Sequence, residues 1–241
     1  YEYLNFKKLF TPSKCIHSID NIDGEFNPHQ SGGRIIKYND NEILLSTGDY
    51  RSRYLSQDTK SVNGKILKIN IKDSSHNILS MGHRNPQGLL FDRENQKIIS
   101  TEHGPAGGDE INIIKIDTEK VPNYGWPIAS YGEHYGNKKK NEHKYLKYPL
   151  LKSHIDYNFI EPIKFFVPSI GISEIIKANN GLYITSSLKH LSIYTFKLDK
   201  NNNILNFEKI VVGERVRDLV FKKNKLYLFL ENSASLGIIN F

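Results

Sequence analysis

Residues Gln87 to Gly104 read QGLLFDRENQKIISTEHG. An apolar run meets a polar turn at Glu94-Asn95-Gln96, a second apolar run follows, and the segment ends in small, polar and charged groups. Short Ile/Leu/Phe runs bounded by turn residues read as two strands of a hairpin. The same pattern recurs at Gly33–Asp49 (GRIIKYNDNEILLSTGD), Ser173–Lys189 (SEIIKANNGLYITSSLK) and Val216–Ser233 (VRDLVFKKNKLYLFLENS), with turns built on Asn-Asp-Asn, Asn-Asn-Gly and Lys-Lys-Asn. Each hairpin is followed by another β-rich run, at Lys65–Ile71, Ile111–Ile116, Leu191–Leu198 and Leu236–Phe241. Helical periodicity is nearly absent. Repeated units of three or four strands point to a β-propeller. A β-sandwich is the rival, but it gives no reason for second strands to run into polar, glycine-rich loops.

Four such units fill the chain, which reads as one propeller domain over residues 1–241. Because an open ring exposes sheet edges, and because residues 1–10 already read as strand, blades are expected upstream of Tyr1. The polar, Tyr-rich stretch from about Asp117 to Ile160 is expected to be a loop excursion over one face. No signal peptide is visible, and in a chain read as a fragment this says nothing about export.

The chain has 241 residues, 38% of them hydrophobic, and a mean hydropathy of −0.49. No run approaches the roughly 18 apolar residues of a membrane helix. The net charge is +7, from 33 Lys and Arg against 26 Asp and Glu. The basic residues are scattered along strands and turns, with one dense run at Lys138–Lys140, so the pattern favours a basic surface or a small anionic ligand over nucleic acid. Cys15 is the single cysteine and forms no internal disulfide.

The chemistry concentrates between Gly82 and Pro127. Gly82–Gly88 reads GHRNPQG, Glu102–Asn112 reads EHGPAGGDEIN, and Asn123–Pro127 reads NYGWP. Glycines allow close backbone approach and positive φ, and the charged and amide groups among them suit a loop wrapped around a polar ligand or ion.

These three motifs, in this order, resemble those of the glucose/sorbosone dehydrogenase family of soluble quinoprotein sugar dehydrogenases. The resemblance extends upstream to His29-Gln30-Ser31-Gly32-Gly33-Arg34 and downstream through Pro168-Ser169, Leu188-Lys189 and Arg215-Val216-Arg217-Asp218. It implies an all-β, six-bladed propeller, represented here by about four blades, that uses pyrroloquinoline quinone (PQQ) and calcium to oxidise aldose sugars to lactones. Electrons would pass to a cytochrome or a diffusible acceptor, in the periplasm or outside the cell.

The resemblance also implies roles. His29 matches the base that takes the proton of the anomeric hydroxyl, a task suited to imidazole, although the His29–Arg34 interval is one residue longer than the family pattern. Arg84 and Asn85 match the pair at the quinone carbonyl edge, where a fixed cation stabilises developing charge. A tricarboxylate cofactor calls for converging cations, and Lys189, Arg215 and Arg217 match such contacts. Arg215 and Arg217 lie on one strand face because side chains alternate. Ser169 and His103 are further cofactor candidates. For calcium the resemblance offers the carbonyls of Gly104 and Pro105 with Glu110 and Tyr124, and Asp109 is a second candidate carboxylate; these are hard oxygen donors. Trp126, Tyr131 and Tyr135 could stack on a sugar or pack the excursion. The main alternative is a non-catalytic binding propeller of the hedgehog-interacting-protein type. A propeller hydrolase is disfavoured because the acidic candidates cluster in one loop.

Overall fold

The strands follow from where the apolar residues alternate and where both faces are apolar. In the computed structural model, which describes residues 7–19, 21–116, 118–135 and 143–240, fifteen strands form four antiparallel meanders. The first sheet holds β1 (Gly32–Lys37), β2 (Glu42–Thr47), β3 (Lys65–Asn70) and β4 (His76–Met81). The second holds β5 (Pro86–Asp92), β6 (Lys97–Glu102), β7 (Asp109–Ile114) and β8 (Lys164–Phe166). The third holds β9 (Ile172–Lys177), β10 (Tyr183–Ser187), β11 (Ser192–Leu198) and β12 (Ile204–Val211), and the last holds β13 (Val216–Lys222), β14 (Lys225–Leu230) and β15 (Ser235–Asn240). All four hairpins and the strand after each appear where the repeats place them. Of the strand expected in the first ten residues, the described part, residues 7–10, is irregular, and Phe10 sets its ring edge against His76 of the outer strand β4. Residues 1–6 and the Lys138–Lys140 run lie outside the described residues.

The first strands neighbour one another in order, β1 to β5 to β9 to β13, so the sheets radiate from a common axis. Three apolar clusters fill the gaps between successive sheets. Leu44, Ile66, Leu89, Ile98 and Ile114 lie between the first and second. Ile99, Ile111, Ile172, Ile175 and Phe196 lie between the second and third, and Ile184, Ile193, Val216, Leu219 and Leu226 between the third and fourth. Ile98 and Ile99 are adjacent in sequence, yet each is fully buried against a different sheet. This is why the middle strands read as continuous apolar runs; each such isoleucine contributes roughly 2 kcal/mol of burial.

Each first strand carries a register shift at the same height: at Gly32/Ile35, Pro86/Gly88, Val216/Asp218 and, in the pairing of β9, opposite Thr185/Ser187. A bulge turns a backbone N–H out of the ladder. In β1 and β9 that N–H donates to a serine of the second strand, Arg34 N to Ser46 Oγ (3.0 Å) and Glu174 N to Ser186 Oγ (3.1 Å). The bulges aim residues 34, 174 and 218 at the axis, beside an opening of about 340 Å³ lined by all four first strands. There Arg34 Nη1 lies 2.7 Å from Glu174 Oε2 and 3.3 Å from Asp218 Oδ1.

Between β7 and β8 the chain leaves the second sheet as the expected excursion. Among its described residues it carries a short helix, α1 (His143–Leu146), and a 3-10 turn at Ile155–Tyr157, and it is tied back to the first sheet by isolated pairing of Asn123 with Met81 and by Trp126 N donating to Gly82 O.

Candidate functional site

The loops at one end of the first three sheets are clamped together by buried carboxylates. Asp109 (1% exposed) accepts Gly104 N at 3.1 Å, Gly171 N at 2.7 Å and Ile172 N at 3.1 Å, joining the second sheet to the start of β9. It serves as a clasp rather than an open ligand. Gly171 (φ +66°) packs against the backbone of Lys189, whose N–H bonds Ile170 O. Ser169 Oγ donates to Pro105 O at 3.4 Å.

Glu102 plays the corresponding part for Arg84. Its Oε2 accepts Arg84 N (2.8 Å); its Oε1 meets His83 Nδ1 (3.0 Å) and Asn112 Nδ2 (2.9 Å), and His83 Nε2 meets Ser80 Oγ (2.8 Å). Burial disfavours its charge, but His83 and the Arg84 main chain outweigh that and hold it below the usual carboxylate range. The histidine of GHRNPQG is therefore a buried brace.

The Arg84 guanidinium is drawn across the site. Nη1 donates to His103 O (2.9 Å), Nη2 reaches Tyr135 Oη (3.5 Å), and the group lies 5.3 Å from the Trp126 ring. Its buried Nε has no partner, and neither has the buried Nε2 of His103. Burial lowers the His103 pKa; Asp109 opposes this, while Arg84 and Arg217 add to it. Asn85 receives Gly32 N on Oδ1 (3.1 Å) and donates to His29 O (3.4 Å). Arg217 enters from the fourth sheet, its carbonyl held by Ser173 Oγ at 2.7 Å.

Hydrogen bonds thus tie His29 to Asn85 and Arg84 to His103, Ser169 bonds the neighbouring Pro105, Lys189 joins the third-sheet loop through its main chain, and Arg217 is near enough to act on the charge of His103. Arg215, just before β13, and Arg217, at the β13 bulge, both turn to Glu231: Arg217 Nη2 at 2.7 Å and Arg215 Nη2 at 3.4 Å. His29 is exposed, and its imidazole bonds none of the described residues.

For a cation, Gly104 and Glu110 line one narrow cavity with Glu102 and Tyr124. Glu110 has its pKa raised well above the usual range by burial and then by Glu102, the behaviour of a carboxylate short of positive charge. Among the described residues no three His, Cys, Asp or Glu side chains converge as metal ligands. The Tyr124 hydroxyl is committed elsewhere, donating to Ile113 O (2.6 Å) and accepting Lys115 N (3.1 Å), so only its main chain is left to face a metal. Trp126 is 6% exposed and donates Nε1 to Asp49 Oδ2 at 2.7 Å. Tyr131 stacks on Phe165 (3.6 Å) as packing, whereas Tyr135 stands 44% exposed at the rim.

Four groups escaped the sequence reading. Gln30 and Asp49 are buried beside Arg84, Glu231 pairs the arginines, and His154 lies 3.6 Å from Glu110 with both ring nitrogens unpartnered. Gln30 stood inside a quoted motif; His154 comes from the excursion, and nothing local marks it.

The glucose/sorbosone dehydrogenase family profile matches residues 17–239. The aldose sugar dehydrogenase YliI of Escherichia coli is 27% identical over 213 residues, covering 78% of this chain and 53% of that protein. Quinoprotein glucose dehydrogenase B of Acinetobacter calcoaceticus is 34% identical over 140 residues, 45% of this chain and 28% of that protein. The PQQ-bound aldose sugar dehydrogenase of Streptomyces coelicolor superposes with a TM-score of 0.64 at 26% identity, covering 85% of this chain and 57% of that one. The apo E. coli aldose sugar dehydrogenase gives a TM-score of 0.71 at 24% identity, over 90% of this chain and 67% of that one, a likeness of fold. The chain spans about half the length of the first two curated relatives it matches. With the profile covering nearly all of it, this chain is a β-propeller member of the glucose/sorbosone dehydrogenase family.

Proposed function

We propose that the protein oxidises aldose sugars to lactones using PQQ and calcium. The observation that carries this is the pair of buried nitrogens without a hydrogen-bond partner, Arg84 Nε and His103 Nε2, with Arg217 near enough to act on the charge of His103. Such a set fits a planar tricarboxylate. PQQ, when bound, supplies the hydride acceptor. Arg84 and Asn85 would hold its reactive edge, with Ser169, Lys189, Arg215 and Arg217 at its carboxylates. Glu231 already balances part of the charge of the arginine pair. His29, free in solvent, would accept the proton of the anomeric hydroxyl. Calcium would take the carbonyls of Gly104, Pro105 and Tyr124 and the carboxylate of Glu110, whose raised pKa it would relieve. A cytochrome or diffusible acceptor would take the electrons, in the periplasm or outside the cell; no helix among the described residues is long and apolar enough to cross a membrane.

The test is dye reduction by protein loaded with PQQ and calcium and offered aldoses. His29→Ala is expected to lower turnover by roughly 10²–10⁴-fold; an unchanged rate removes His29 from the reaction. Verified PQQ occupancy without dye reduction favours the binding-module alternative.

A further inference from the structure

We infer that Gln30 is a positioning residue that sets the pose of Arg84, an inference that rests on the site being the cofactor pocket and assigns a role nothing above gives it. The backbone of the His29 loop is pinned. Asn27 Oδ1 accepts His29 N (2.9 Å), Tyr50 N donates to Gln30 O (3.0 Å), and a Cβ on Gly48 would lie 2.0 Å from Gln30 O. With the chain pressed so closely against residues 48–50, Gln30 is driven inward (5% exposed) while its neighbour His29 points out.

The Gln30 amide then has one orientation that satisfies its surroundings. Its nitrogen donates to Asp49 Oδ1 at 3.0 Å, and its oxygen accepts Arg84 Nη2 at 2.9 Å and Arg51 Nε at 3.0 Å. Asp49 is locked in turn by Trp126 Nε1 and Arg51 N (2.8 Å). The relay Asp49–Gln30–Arg84 draws one end of the guanidinium inward, the His103 carbonyl takes the other, and Nε is left unpartnered. Gln30 thereby decides which edge of Arg84 a ligand meets.

Trp126 is the only tryptophan, so its emission reports on the site. PQQ titrated into Gln30→Ala should bind roughly tenfold more weakly than to the starting protein, as expected for loss of a hydrogen bond to a charged group. In an Arg84→Lys background the same change should cost less than about twofold, because the two act through one group. Without ligand, Gln30→Ala should alter Trp126 emission in the same sense as Arg84→Lys, since both move the cation off the indole. Equal losses of PQQ affinity in both backgrounds, or an unaltered affinity, overturn the inference. If the starting protein binds no PQQ, the cofactor reading fails by itself; unaltered ligand-free emission of a folded Gln30→Ala protein then overturns the role of Gln30.

Discussion

Replacing Glu174 by glutamine should flatten the dependence of stability on pH. Glu174 faces the axis from β9, 5% exposed, with its Oε1 accepting Ile175 N at 2.8 Å. Burial raises its pKa from 4.5 to about 8; Arg34 opposes the rise, and Asp218, which hydrogen-bonds it, adds to it. Between pH 4.5 and 8 the folded chain therefore binds a proton at this carboxyl that the unfolded chain releases. A folded state holding more protons loses stability as pH climbs, at up to about 1.4 kcal/mol per unit for one group. Over the interval this amounts to roughly 3–5 kcal/mol, and glutamine removes it. Urea unfolding followed by Trp126 fluorescence at pH 5, 6, 7 and 8 measures the slope. Asp49 and Glu110, also raised by burial, titrate in both proteins and cancel in the difference. The variant should gain on the parent steadily toward pH 8; parallel lines would refute the reasoning and show that Arg34 keeps Glu174 ionised throughout.

Two other substitutions probe the scaffold. Lys65 is fully buried in β3 and donates to Leu55 O (2.7 Å), Ser56 O (3.0 Å) and Asn63 O (2.8 Å); Lys65→Met strands three carbonyls and should cost about 2–4 kcal/mol in urea unfolding, a loss under about 1 kcal/mol counting against the account. Burial lowers its pKa to about 7, so its own contribution to stability should improve as pH rises from about 7 toward 10.5. Asp109→Asn turns an amide group toward backbone donors and should speed hydrogen exchange at Gly171 and Ile172 at least tenfold; unchanged protection would mean that the loops are held by something else.

The inner strands were legible in the sequence because burial on both faces writes apolar runs between turn residues. β4 and β12 were not: His76-Asn77 opens β4, and β12 is exposed along most of its length, so neither carries the apolar signature of a core strand. β8 is only three residues long and returns after the excursion. At the site, Arg84, Asn85 and His103 stood out because their motifs are dense in glycine and charge. Gln30, quoted in a motif beside His29, was given no role, since which of two neighbours turns inward depends on the clash-limited path past Gly48. Asp109 looked like an ion ligand because a carboxylate in a glycine loop fits that role as well as it fits a clasp for three amides.

The bulged first strands have an evolutionary corollary. The charged axial residues Arg34, Glu174 and Asp218 sit at the hub, while the circumference is made of β4, β8, β12, β15 and the excursion. The perimeter can therefore diversify, by insertion or by recolouring of its surface, without reshaping the chemistry at the hub. New ligand preferences are expected to arise from excursions such as the one between β7 and β8, while the hub tolerates little.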